Sequence, residues 1–217
     1  MMRKKPIDVI FVVDKSEKAF PFAEILNTTM KRMFFSLKQS EDFAGFDVYF
    51  TLVSFDCDVY ENIGFVKIDS VDMNALELKY EGGTNPAPAL EYALQKSIKR
   101  YETCVANGTP TYNPLIFFFT GDSYSTEKVC SDQLKGVVDK YWFYDTLLTF
   151  VSCGDEINVE VLDYHSVSIH KLISVNKSDV AKLTGIISEV LWFYQSQSSF
   201  EHTDEKYLAS FFSKYKF

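Results

Sequence analysis

Apolar positions fall into two rhythms along this chain. Short apolar runs, unbroken at Val9 to Val13 and Leu115 to Phe119 and interrupted by Thr149 at Leu147 to Val151, alternate with stretches in which apolar residues return every third or fourth position. The runs are too short for helices and rich in β-branched or aromatic residues, so they read as strands buried on both faces. Val48 to Phe55 predicts a further strand. Phe65 to Ile68 predicts a short edge strand, Leu76 to Tyr80 a weaker extended segment and Lys171 to Val175 a last strand. The helical rhythm is clearest in Phe22, Ile25, Leu26, Met30, Met33, Phe34 and Leu37, which predict a helix over Phe22 to Lys38. A second helix is expected from Pro86 to about Cys104, a third over Thr126 to Lys140 and a fourth from Ser178 or Asp179 to Tyr194. Short helices are expected at Val159 to Tyr164 and Asp204 to Tyr215. Strands alternating with helices predict an α/β fold: a three-layer, doubly wound, mostly parallel sheet of about six strands with right-handed crossovers. The strand at Val9 to Val13, apolar throughout, is expected near the centre.

Punctuation supports this division. Glu81-Gly82-Gly83-Thr84-Asn85-Pro86 is the sharpest turn signal: two glycines permit unusual backbone angles, Thr84 or Asn85 can cap a helix, and Pro86 suits an early helical position. Asn107-Gly108-Thr109-Pro110 closes the same unit. The main domain is expected to span residues 6–195, followed by a linker-like Ser196 to Ser199 and a helical tail within 196–217.

Composition narrows the classes. The 217 residues are 47% hydrophobic, with 20 Phe and 13 Tyr, which is ample for one core and excludes a disordered chain. The net charge of −8 argues against non-specific binding to nucleic acid or to anionic membranes. No apolar run approaches the roughly 20 residues of a membrane helix, and the basic start at Met1 to Pro6 is followed by too short an apolar run for a signal peptide. Cys57, Cys104, Cys130 and Cys153 form no CxxC pair, so a zinc site is not expected and free thiols in a cytoplasmic protein are.

Candidate chemistry gathers at strand ends, where ligands bind in parallel α/β sheets. Asp14 and Ser16 follow the first strand, Thr84 sits in the glycine turn, and Asp122 follows Leu115 to Phe119 in Thr120-Gly121-Asp122. All four offer hard oxygen donors of the kind that suit Mg²⁺, Mn²⁺ or Ca²⁺. Asp56, Asp58 and Asp155 also lie at strand ends and read as solvated loop acids. His165, His170 and His202 fall outside these loops and support neither a histidine metal site nor a catalytic triad. Trp192-Phe193, Phe211 and Phe212 read as packing residues.

Taken in order, Asp14, Ser16, Thr84 and Asp122 resemble the metal-ion-dependent adhesion site of von Willebrand factor A domains. There an Asp-x-Ser-x-Ser motif, a later threonine and an aspartate after the fourth strand share one ion. The resemblance covers about Pro6 to Gln195 and is nearest to the intracellular bacterial branch of tellurite-resistance TerY-type proteins. It implies a non-catalytic protein-binding module, with Mg²⁺ as cofactor and a partner protein's Asp or Glu completing the ion's coordination. Two positions depart from the motif. Lys18 stands where the family has its second serine, and a protonated lysine has no lone pair to give. Its ammonium is expected either to compete with the ion for the acids or, on its long flexible stem, to point to solvent. Thr120-Gly121-Asp122 places one extra residue before the aspartate.

Two other readings share these residues. A haloacid-dehalogenase-like, Mg²⁺-dependent phosphohydrolase would use Asp14 as nucleophile, Thr120 as a phosphate contact and Asp122 as metal ligand. It needs a second acid two residues after the nucleophile, where this chain has Ser16. A scaffold with a dead metal site is the third reading. No phosphate-cradling GxxxxGK[ST] loop is present.

Overall fold

The computed structural model describes residues 5–39, 46–109, 114–120, 128–141, 147–152 and 171–174. Its strands are β1 (Lys5–Asp14), β2 (Phe46–Phe55), β3 (Val59–Lys67), β4 (Leu115–Thr120), β5 (Leu147–Ser152) and β6 (Lys171–Ser174). The helices are α1 (Ala23–Gln39), entered through a 3₁₀ segment at Glu17–Phe22, α2 (Pro86–Ala106) and α3 (Lys128–Tyr141). The six strands form one sheet in the order β3-β2-β1-β4-β5-β6. All neighbours run parallel except β3, which returns antiparallel along β2. The three-layer, doubly wound architecture expected from the sequence is the observed one, with β1 between β2 and β4.

Alternation along the strands sorts the core into two halves. Ile7, Val9, Phe11 and Val13 of β1 face α1, whose Leu26, Met30, Met33, Phe34 and Leu37 repeat at helical spacing. Ile10 and Val12 face the other way, onto Ala89, Leu90, Ala93 and Leu94 of α2 and Leu134 and Val137 of α3. Phe11 is the hub of the first half. Its ring meets Phe50 and Phe119 edge-on at 5.0 Å and Phe117 at 5.8 Å. Side chains of this size contribute about 2–3 kcal/mol each by leaving water, and edge-to-face rings add to that.

Two elements differ from the sequence reading. β3 begins at Val59, well before Phe65. A tight turn starts it early: Asp56 Oδ1 accepts the Asp58 N–H at 2.9 Å while the Asp56 N–H reaches the Asp58 carbonyl at 3.0 Å. As an edge strand it carries polar, exposed residues such as Glu61 and lacks the apolar signature of an inner strand. Leu76 to Tyr80 is not a strand. A 3₁₀ turn at Met73–Leu76, capped where Asp72 accepts the Asn74 N–H at 2.9 Å, leads into irregular chain that buries Leu76 and Leu78 beneath α1. The expected helices at Val159 to Tyr164, Ser178 to Tyr194 and Asp204 to Tyr215, and the boundary between 6–195 and 196–217, lie outside the described residues.

Candidate functional site

The carboxyl ends of the central strands carry the site. Asp14 is the last residue of β1, paired with Phe55 of β2, and is fully buried. Its Oδ1 accepts the Ser16 N–H at 2.9 Å, which turns the chain sharply out of the strand. Ser16 then occupies the N-cap position of the 3₁₀ segment, but its hydroxyl makes no capping bond. Ser16 Oγ is fully buried and, like the hydroxyls of Thr29, Thr51 and Ser54, has no hydrogen-bond partner among the described residues. A buried hydroxyl left unsatisfied costs about 1–3 kcal/mol, and the groups around it do not recover that cost.

The glycine turn is stitched to this loop by backbone bonds. The Glu81 N–H reaches the Lys15 carbonyl at 2.8 Å, and the Glu17 N–H reaches the Gly82 carbonyl at 3.0 Å. Gly82 adopts φ +80°, a region open to glycine and costly for other residues. Thr84, half-buried, follows in the same turn. Asn85 takes the N-cap position of α2 without a side-chain cap, and its own N–H goes to the Asp56 carbonyl at 2.7 Å. Thr120 ends β4 one residue beyond the Val13–Phe119 pair, on the same sheet edge, and is buried. The structure therefore brings Asp14, Ser16 and the turn bearing Thr84 together. Asp122 lies outside the described residues. Lys18 is exposed on the 3₁₀ segment.

One expectation is corrected. Asp56 is not a solvated loop acid but is buried, and it pairs with Lys15, a residue the sequence reading passed over. The Lys15 ammonium meets Asp56 Oδ2, lies 3.9 Å from Glu81 Oε1 and sits 4.3 Å above the Tyr60 ring. Burial pushes the Asp56 carboxyl up, but the Asp58 N–H, the Lys15 ammonium and the Tyr60 hydroxyl outweigh it and hold the pKa below its ordinary value. Partial burial and the Asp56 carboxylate raise Tyr60 in turn. The signal lies in the strand register, which is not carried by the local sequence. Asp14 lies opposite Phe55, so the next residue on each strand, Lys15 and Asp56, must also be neighbours. Asp58 is exposed, as expected, and Asp155 lies outside the described residues.

Chemically, the site offers one buried carboxylate, one orphaned hydroxyl and a threonine turn. The carboxylate at position 16 that phosphohydrolase chemistry requires is replaced by that buried serine. Among the described residues, no group of three or more His, Cys, Asp or Glu side chains is placed to hold a metal ion. Hydroxyl donors fall outside such a grouping. Cys57 and Cys104 are free thiols.

No protein-family model and no curated protein sequence matches the chain. Solved structures do match its fold. A mutant of the PilB minor pilin from Streptococcus sanguinis superposes with a TM-score of 0.67 at 12% identity, over 92% of this chain and 64% of that one. The pilus adhesin SpaC from Lactobacillus rhamnosus GG, in its open conformation, matches with a TM-score of 0.65 at 11% identity, over 88% of this chain and 30% of that one. Proximal thread matrix protein 1 from the mussel byssus, solved with a zinc-occupied MIDAS motif, matches with a TM-score of 0.54 at 15% identity, over 88% and 46%. This chain spans less than two thirds of each. It has a von Willebrand factor A-like fold. The cytoplasmic placement read from the sequence is corrected by these likenesses, because a minor pilin and a pilus adhesin belong to surface structures. Free thiols and the hydropathy of one terminal segment do not decide a compartment. No helix among the described residues is long and apolar enough to cross a membrane.

Proposed function

We propose that this chain is a non-catalytic protein-binding module that recognises a carboxylate on a partner protein through a divalent ion, with Asp14, Ser16, Thr84 and Asp122 as the ion's ligands. The orphaned Ser16 hydroxyl carries this reading. It is fully buried and lacks a hydrogen-bond partner among the described residues, and of the four buried hydroxyls in that state it is the one that adjoins the buried Asp14 carboxylate at a strand end. An oxygen placed so is at a loss within the protein and at home in the coordination shell of a hard cation. Mg²⁺ suits this donor set, and when bound it would offer an open position to a partner's Asp or Glu. The zinc-occupied MIDAS motif of the mussel protein supports the reading by likeness of fold. The narrower likeness to TerY-type proteins rests on the sequence resemblance alone.

Calorimetric titration tests the reading. Mg²⁺ or Mn²⁺ is expected to give a single-site isotherm that Asp14→Ala abolishes. A glutamate-bearing peptide should then be retained only by the metal-loaded protein and released by EDTA. Isotherms that are the same in the wild type and Asp14→Ala, or absent from both, rule the site out.

A further inference from the structure

The Lys15 side chain sits between Asp14 and Ser16 in sequence, yet its charge is turned toward a different acid. Its ammonium pairs with the buried Asp56, and Tyr60 and Glu81 complete its surroundings. The backbone of the same two residues holds three loops together. The Lys15 N–H reaches the Phe55 carbonyl at 2.8 Å, its carbonyl accepts the Glu81 N–H at 2.8 Å, and the Asp56 carbonyl accepts the Asn85 N–H at 2.7 Å. The glycine turn is pressed onto this junction. A Cβ added to Gly83 would lie 2.7 Å from Cys57 Sγ, and one added to Gly82 would lie 3.4 Å from the Asp56 Cβ. The turn that carries Thr84 thus has its place defined by Asp56 and Cys57, and Asp56 keeps its buried charge because Lys15 neutralises it.

We propose that Lys15 and Asp56 are a positioning pair that docks the Gly82-Gly83-Thr84 turn against Asp14 and Ser16 and so assembles the ion site. This rests on the metal-dependent reading given above. The pair acts through the backbone it holds.

Two physical effects of removing the ammonium oppose each other, and their sign is the test. A lysine close to a cation site repels the ion, so electrostatics alone makes Lys15→Met bind Mn²⁺ more tightly. Loss of positioning makes it bind more weakly, because the Asp56 carboxylate is left buried without its counter-charge and the turn shifts to solvate it. Titration of Mn²⁺ into the wild type, Lys15→Met, Asp56→Asn and the double variant separates the two. The expected result is an affinity at least tenfold weaker in Lys15→Met, about 1.4 kcal/mol, with part of that loss recovered in the double variant, where neither charge remains. Affinity that is unchanged or tighter in a folded Lys15→Met overturns the proposal. A wild type that binds no Mn²⁺ sinks the metal reading instead. The positioning pair is then judged by maleimide labelling of Cys57, whose sulfur lies under Gly83. Labelling at least threefold faster in Lys15→Met supports the pair, and an unchanged rate overturns it.

Discussion

Near its start β1 buries Asp8, and just past its end the chain buries Lys15; both form ion pairs flanked by aromatic rings. Arg100 of α2 holds both Asp8 carboxylate oxygens through Nε at 2.8 Å, and its guanidinium lies 4.3 Å from the Tyr49 ring and 4.7 Å from Phe65. That pair joins a helix to the sheet, side chain to side chain. Lys15 and Asp56 join three loops, and their backbones carry as many contacts as their charges. No orphaned hydroxyl lies beside Asp8 in sequence, whereas Ser16 Oγ adjoins Lys15. Similar chemistry therefore serves packing at one end of the strand and, in the function proposed above, a ligand site at the other. What distinguishes them is that at the second end an unsatisfied hydroxyl, Ser16 Oγ, adjoins a buried carboxylate, Asp14, at the edge where strand ends meet.

The largest effect should come from the packing pair. Asp8→Ala leaves the Arg100 guanidinium between two rings without a counter-charge, at a cost of about 3 kcal/mol. Urea denaturation should show this loss while Mn²⁺ affinity stays within twofold of the wild type; a large loss of affinity would erase the contrast between the two ends. Lys18→Ser comes next. It removes an exposed positive charge and adds the hydroxyl of the resembled motif, so calorimetry should give Mg²⁺ affinity at least tenfold higher, about 1.4 kcal/mol. Unchanged affinity would mean that position 18 takes no part. Ser16→Ala should then behave as no ordinary truncation does. Deleting a buried hydroxyl that has no partner among the described residues should stabilise the metal-free protein by about 1 kcal/mol and abolish the thermal stabilisation that added Mg²⁺ provides by mass action. Destabilisation of the metal-free protein would show that Ser16 has a structural partner.

The smallest effect is on pH dependence, and the two acids should differ in sign. Burial raises the Asp8 carboxyl above 3.8 against the opposing pull of Arg100. The folded state then holds that proton more tightly than the unfolded state, so the Asp8 contribution to stability is fullest below 3.8 and declines as pH rises through the raised value. Asp56 is lowered, so its contribution is present above 3.8 and is lost as pH falls through the lowered value. Urea midpoints against pH for Asp8→Asn and Asp56→Asn should lose slope on opposite sides of that point. Loss on the same side would contradict the assignment.

Much of the fold was legible because periodicity reports burial. The apolar run Val9 to Val13 of β1 lies at the centre of the sheet, and the helical repeat from Leu26 to Leu37 is buried as its spacing requires. β3 was harder to read because an edge strand has no second face to bury, and Glu61 and Tyr60 masked it. In the site, Asp14, Ser16 and the turn of Thr84 could be brought together from the rule that parallel strand ends share an edge. Lys15 could not be found by composition, since a lysine after a strand is ordinarily solvated. Its burial depends on the register that sets it beside Asp56, a tertiary fact rather than a local one. The compartment was misread because thiol content and terminal hydropathy carry little information about it.

Anomalous scattering from Mn²⁺-soaked crystals tests the central claim most directly. A single peak with Asp14, Ser16 Oγ, Thr84 and Asp122 within its coordination sphere, at the roughly 2.0–2.6 Å expected for hard cations on oxygen, is the expected result. A map with no peak there, or with the Lys18 ammonium filling the space between Asp14 and Ser16, would contradict it.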